Sequence, residues 1–141
     1  MADTFSHTVP VGAPAARVWE ALQDAQTWSN IGPIDAVWDS EHTADGTLAR
    51  YRWSANAAGR SWKGTATTAE AHPGVRMRLD LTSSEIVGAI AVELHQDFIT
   101  VSMEASPRGF LATMFWGTVK AALESGLPEQ VEAFARALDG G

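Results

Sequence analysis

Alternation of apolar and polar residues marks a series of strands along most of the chain. From Thr4 to Val11 every second side chain is apolar or aromatic, and His7 shares their face. A period of two predicts a strand with one buried face. The same pattern recurs from Ile34 to Ser106, where turn signals such as Asp45-Gly46 and Pro73-Gly74 separate six further segments.

Two stretches have the longer spacing of helices. A short helix is predicted over Ala15–Ala25, directly after Pro14, which suits the start of a helix. From Phe110 onward, apolar residues follow one another at three- and four-residue spacing, which predicts a long helix. Gly126 and Pro128 interrupt this run, so we expect a kink or two abutting segments there.

The order of these elements predicts one α+β domain over residues 1–141: a strand, one or two short helices, six strands and a long helix. Strands joined by short turns pair antiparallel, which gives a sheet of about seven strands. One face of that sheet needs a cover, and the C-terminal helix is the only predicted element long enough to provide it.

Composition excludes several classes of function. The formal net charge is −7 and the chain has only two lysines, which disfavours binding to nucleic-acid phosphates or anionic lipids. The absence of cysteine excludes disulfides, thiolate catalysis and thiolate metal ligands. The four histidines lack metal-ligand spacing, so no metal or other cofactor is expected. Without a recognisable signal peptide or membrane span, we expect a cytoplasmic protein.

A set of short motifs resembles the helix-grip superfamily. This superfamily (SRPBCC) includes START-type lipid-binding domains, birch-pollen-allergen-like proteins and bacterial polyketide cyclase/dehydrase and lipid transport proteins. The resemblance implies a curved sheet wrapped on the C-terminal helix, with a cavity for lipids, polyketides or similar molecules. A fainter likeness, on Gly109 and Phe134…Leu138, is to a family of small carbon monoxide dehydrogenase subunits. The motifs are Val11 with Ala13-Pro14, Val18-Trp19 and Leu22, then Asp24, Trp28, Pro33-Ile34, Asp45-Gly46-Thr47 and His72-Pro73-Gly74.

Alternation predicts which large side chains face the helix and could line such a cavity. Aromatic rings offer rigid flat faces and methionine adapts its shape, so together they suit a flat apolar ligand. The alternative is that the same side chains simply fill the core. The candidates are His7, Trp38, Tyr51, Trp53, Trp62, Met77 and Met103 on the sheet, and Met114, Phe115 and Trp116 on the helix.

Four arginines occupy the polar register of their strands, and we expect them on the solvated outer face of the sheet. They are Arg50, Arg52, Arg76 and Arg78. A β-bulge that inverted its strand would turn Arg52 inward, where it would be a cationic partner for a ligand carboxylate.

Three functions remain open. The leading prediction is a non-catalytic protein that carries or senses a small hydrophobic molecule, oriented by Tyr51 or His7. The second is a polyketide cyclase or aromatase in which His7, Tyr51 or Glu104 moves protons, although Glu104 falls on the outer register. The third is an interaction subunit that docks on a larger enzyme, or a homodimer. In the docking case, Trp116 or the segment after Gly126 forms an exposed apolar patch.

Overall fold

The computed structural model describes residues 3–29, 34–57 and 59–140. Its described residues form an antiparallel sheet of seven strands together with four helices, which confirms the predicted α+β class. The strands are β1 Asp3–Pro10, β2 Ala36–His42, β3 Leu48–Ala57, β4 Arg60–His72, β5 Arg76–Ser83, β6 Ile86–Leu94 and β7 Phe98–Pro107. The helices are α1 Ala15–Leu22, α2 Ala25–Trp28, α3 Phe110–Met114 and α4 Trp116–Gly140.

Sequential hairpins build most of the sheet. The strand order is β1-β7-β6-β5-β4-β3-β2, so strands β2 to β7 each lie beside the next strand along the chain. Gly46 and Gly74 adopt φ values of 88° and 75° in the predicted turns, a region that glycine enters without a steric penalty. Strand β1 then pairs with β7, from Asp3 opposite Ala105 to Pro10 opposite Phe98.

Helix α4 packs its apolar side against the inner face of the sheet. The helical spacing of its buried residues places them on one side, which explains why this helix covers the core. The buried side chains of α4 include Val119, Leu123, Leu127, Val131, Phe134 and Leu138. The predicted cover by the C-terminal helix is therefore confirmed.

The predicted break of the C-terminal helix is misplaced. Helix α4 runs without interruption through Pro128, so two abutting segments at that point are wrong. Proline leaves the carbonyl four residues earlier without its helical partner, but Glu124 is exposed and water can satisfy its carbonyl. The break falls instead at Phe115, between α3 and α4, where φ is −103° and ψ is 16°.

The predicted short helix also divides into two. Helix α1 ends at Leu22, and Asp24 begins α2 by accepting a 3.0 Å hydrogen bond from the backbone N–H of Gln26. An aspartate in this position is a typical N-cap, because its side chain satisfies a free N–H of the first turn.

The register of β2 reverses the prediction for Trp38. Residues that face each other across an antiparallel pair share one face of the sheet. Val37 pairs with the buried Trp53, whereas Trp38 pairs with the exposed Arg52 and is itself 38% exposed. Trp38 therefore lies on the outer face and Val37 on the inner face. Of the motif expected to open this strand, Pro33 lies outside the described residues, and β2 begins at Ala36.

Candidate functional site

A small apolar cavity lies between the inner face of the sheet and α4. Its volume is about 50 Å³, and the surface that faces it is formed by apolar atoms. Strands β3 to β7 supply one wall and α4 supplies the other, which explains why apolar side chains of both layers meet there. Its lining includes Trp53, Trp62, Leu81, Met103, Val119 and Leu123.

Trp53 on β3 is held in this wall by a glycine on the neighbouring strand. Gly64 on β4 pairs directly with Trp53. A Cβ atom at Gly64 would lie 2.5 Å from Cζ2 and 2.8 Å from Cε2 of the indole ring. The ring therefore rests against the backbone of β4 at a position that only glycine permits.

The indole nitrogen of Trp53 has no hydrogen-bond partner. Trp53 is 4% exposed, and its Nε1 is one of the few buried side-chain polar atoms of the described residues without an acceptor or donor. Among the described residues that line the cavity, it is the one such atom. Buried polar groups are normally hydrogen-bonded, so this N–H is an unused donor at the site.

Two further sheet candidates lie in the core rather than along the cavity. Tyr51 and Met77 are both buried on the predicted inner face. Burial raises the pKa of the Tyr51 phenol, which stays neutral at physiological pH. The Sδ atom of Met77 lies 3.6 Å from Nε2 of Gln23, the residue that follows α1. Of the predicted sheet candidates, Trp53, Trp62 and Met103 reach the cavity.

His7 lies on the inner register of β1, as predicted, but at the margin of the sheet. Its Nε2 lies 3.1 Å from Oε2 of Glu132 on α4, and both side chains are partly exposed. This pair borders a separate surface groove that also includes Arg136. His7 is therefore placed to tie β1 to α4, and it does not line the apolar cavity.

The candidates near the start of α4 divide between core and surface. Phe115 is half-buried against the core, whereas Met114 is 54% exposed and does not contribute to the cavity. Trp116 is also packed against the core, and its indole N–H bonds to Asp3. The predicted apolar patch on Trp116 is therefore wrong, because the exposed apolar residues of this region are Phe110 and Met114.

The segment after Gly126 likewise offers no apolar patch among its described side chains. Its large apolar residues Leu127, Val131 and Phe134 are buried in the core, because α4 turns them toward the sheet. The sequence basis for the docking prediction is therefore lost in this segment.

Charged side chains of the sheet lie on its outer face, as predicted. Arg52 is exposed and its Nε lies 3.9 Å from Asp39, so it is not a cation of the lumen. Arg78 donates a 3.0 Å hydrogen bond from Nη2 to Glu104, whose carboxylate thus also belongs to the outer face. Glu104 borders the cavity, but this carboxylate is engaged elsewhere.

The residues described in the structure offer no other chemical site of the kinds considered from sequence. In residues 3–29, 34–57 and 59–140, no cluster of three or more histidine, aspartate or glutamate side chains is suited to hold a metal ion. Within the same residues, no helix combines the length and apolar character needed to cross a membrane.

Sequence reasoning missed part of the cavity wall. Strand β6 is apolar throughout, so its pattern does not show which side chains face inward. Small residues were also passed over because they carry no chemistry of their own. Alternation alone would have found Ala55, which lies two residues from Trp53. The missed lining residues include Ile34, Ala55, Ile86, Gly88 and Ala105.

Comparison with known proteins identifies the family. A family model described as polyketide cyclase/dehydrase and lipid transport matches residues 2–139. The chain belongs to this family. Its match covers nearly the whole domain and agrees with the helix-grip architecture of the structure. No curated protein matches the chain.

Solved structures show how widely this fold is shared. A Deinococcus radiodurans protein has a TM-score of 0.69 at 15% identity, covering 99% of this chain and 98% of its own. The Zhui aromatase/cyclase from Streptomyces sp. R1128 has a TM-score of 0.62 at 19% identity, with coverages of 98% and 87%. A START superfamily protein from Mycobacterium smegmatis has a TM-score of 0.59 at 17% identity, with coverages of 97% and 94%. These likenesses confirm the fold of the family, and they place the chain among START-like proteins.

Proposed function

We propose that this protein binds one small, uncharged, apolar molecule between the inner face of the sheet and α4. The observation that supports this most directly is the apolar cavity, with Trp53, Trp62 and Met103 on the sheet and Leu123 on the helix. Removing apolar ligand surface from water contributes about 25 cal/mol per Å². The broad ring faces and the flexible methionine favour a flat molecule.

The cavity must widen to admit such a ligand. Its volume of about 50 Å³ is below the roughly 300–1,000 Å³ of sites that enclose drug-sized molecules. Side-chain contacts hold α4 to β1: Trp116 Nε1 lies 2.7 Å and Lys120 Nζ 3.3 Å from Asp3, and His7 lies 3.1 Å from Glu132. Because these contacts are on the β1 side, we expect α4 to move away from β3 and β4 when a ligand enters.

Binding is favoured over polyketide cyclisation, the alternative that the family description and the aromatase/cyclase likeness keep open. A cyclase of this kind needs side chains that transfer protons at the substrate. Among the described residues lining the cavity, Glu104 is the one titratable side chain, and Arg78 engages its carboxylate. His7 and Tyr51 do not line the cavity. The geometry thus supports holding a molecule better than converting it.

Fluorene, a planar neutral hydrocarbon, tests the proposal directly. We expect saturable binding of one molecule per chain, measured by equilibrium dialysis and confirmed by native mass spectrometry. Native spectra of the freshly purified protein would also show any molecule retained from the cell, and whether the chain forms the homodimer that remains a prediction.

A pair of matched variants locates the binding site. Ala55→Val adds two methyl groups to the cavity wall and should weaken fluorene binding about tenfold or more, because the added volume competes with the ligand. Ala36→Val makes the same change at an exposed position of β2 and should leave binding unchanged. No saturable binding to the wild type, or equal losses in the two variants, contradicts binding in this cavity.

A further inference from the structure

Trp53 has a hydrogen-bond donor that the protein does not use. Its Nε1 is buried without a partner, although Trp53 lines a cavity whose exposed wall is apolar. An unsatisfied buried donor is destabilising, and native structures seldom retain one without a functional or structural reason. Phenylalanine would supply a similar apolar ring without this cost, so the N–H itself needs an explanation.

The position of the ring is enforced by its surroundings. Gly64 lies against the Cε2 and Cζ2 edge of the indole, and any Cβ there would overlap the ring. Cε2 is bonded directly to Nε1, so this contact also restricts where the N–H group can lie. Trp53 therefore cannot turn toward β4 to find a backbone acceptor, and its N–H stays unpaired in the free protein.

The described lining residues supply no acceptor for this N–H. Asn56 borders the cavity but is exposed, and the carboxylate of Glu104 accepts from Arg78 on the outer face. A buried water typically makes about three hydrogen bonds, and the apolar wall offers few partners for one. The missing acceptor is therefore best supplied by the ligand.

The same wall selects an uncharged acceptor. Among the described residues, the cavity lining includes no lysine, arginine or histidine. A carboxylate or phosphate taken into this space would lose its hydration without gaining a compensating cation. A carbonyl or ether oxygen has a much smaller desolvation cost and accepts one hydrogen bond from the indole.

We propose that the Trp53 indole N–H donates a hydrogen bond to an uncharged oxygen acceptor, such as a ketone or ether, of the molecule bound in the apolar cavity. This inference rests on the proposed binding function and extends it, since it assigns a specificity-determining residue and a ligand class. Apolar burial supplies affinity, and Trp53 distinguishes an oxygenated ligand from a hydrocarbon of the same shape.

Fluorenone and fluorene provide the matched probes, because they differ only in a carbonyl group in place of a methylene. Their affinities are compared in the wild type, in Trp53→Phe and in Trp62→Phe, a control with the same change at another tryptophan of the cavity. The quantity measured is the ratio of the fluorenone affinity to the fluorene affinity. We expect Trp53→Phe to lower this ratio roughly three- to tenfold, the effect of one neutral hydrogen bond, and Trp62→Phe to preserve it.

A spectroscopic measurement keeps the inference testable if Trp53→Phe folds poorly. In a ¹⁵N–¹H spectrum of the wild type, fluorenone should move the assigned Trp53 indole N–H proton signal downfield, while fluorene should not. An unchanged affinity ratio in a folded Trp53→Phe variant, or identical effects of both probes on this signal, overturns the role of Trp53 while leaving apolar binding intact. Failure of both probes to bind overturns the proposed function and this inference with it.

Discussion

The indole N–H of Trp116, at the first residue of α4, donates a 2.7 Å hydrogen bond to Oδ2 of Asp3 on β1. Lys120, one turn further along α4, places Nζ 3.3 Å from Oδ1 of the same carboxylate. A single aspartate thus connects the beginning of the long helix to an edge strand of the sheet. The hydrogen bond from Trp116, and then Lys120, holds the pKa of Asp3 below its ordinary value of 3.8.

Asp3→Asn should weaken the acid sensitivity of the fold. Because the folded-state pKa lies below the unfolded one, the ionised Asp3 stabilises the protein above the unfolded pKa, and this contribution disappears as pH falls through the folded value. The variant should be less stable than the wild type at neutral pH, with the difference shrinking below roughly pH 4. Urea unfolding at several pH values measures this. Trp116→Phe removes the largest cause and should reproduce part of the effect, whereas parallel pH curves for wild type and Asp3→Asn would refute it.

Gly64→Ala should destabilise the protein by about 1–3 kcal/mol, because the new Cβ overlaps a well-packed region. That atom would overlap the backbone oxygen of Thr82 and would lie 2.5 Å from the Trp53 ring. Gly117→Ala is the matched control, since Gly117 is an exposed position in α4 with open space around it. There the same substitution should stabilise the helix by about 0.5–1 kcal/mol. Thermal and urea unfolding of the two variants should therefore shift in opposite directions.

Glu132→Gln should have little effect on either stability or ligand binding. The 3.1 Å contact between His7 and Glu132 joins two partly exposed side chains, and such pairs contribute about 0–1 kcal/mol. Neither residue lines the apolar cavity. A double-mutant cycle with His7→Ala measures the coupling by urea unfolding, and dialysis with fluorene measures binding. A large loss of fluorene affinity in either single variant would show that the ligand lies elsewhere.

Glu85→Ala should loosen α3. The Oε1 of Glu85 accepts a 2.8 Å hydrogen bond from the N–H of Ala112, and its backbone oxygen accepts from Gly109 at 3.0 Å. The side chain thus satisfies a free N–H in the first turn of α3, and losing such a cap costs about 1 kcal/mol. Amide hydrogen exchange over residues 110–114 should accelerate. Glu20→Ala, at an exposed position of α1, provides the control, and equal exchange in the two variants would contradict the capping role.

Local periodicity was sufficient for most of the fold. The alternation in β5 correctly placed Met77, Leu79 and Leu81 in the core, and the bounds of β6 agree with the apolar run from Ile86 to Leu94. These features are predictable because the side-chain direction within a strand follows from its two-residue period. The family resemblance then supplied the overall wrapping of sheet and helix.

Positions that depend on pairing between distant segments were less predictable. Trp38 and Val37 are both apolar, and only the pairing of Val37 with Trp53 decides which of them is buried. The helix break at Phe115, rather than at Pro128, likewise depends on the packing of α3 and α4 against the sheet. A one-residue difference in strand register moves a side chain to the opposite face, and the local pattern alone does not resolve it.

The sequence by itself determined the strand series, the amphipathic C-terminal helix and a strong preference for an apolar interior, because each follows from local spacing and composition. Only the tertiary structure decided that the cavity is small, that Trp53, Trp62 and Met103 line it, and that His7 bonds to Glu132 instead. It also decided that the Trp53 N–H remains unpaired beside Gly64. These properties depend on contacts between strands and a helix far apart in the chain, and therefore on how the layers pack.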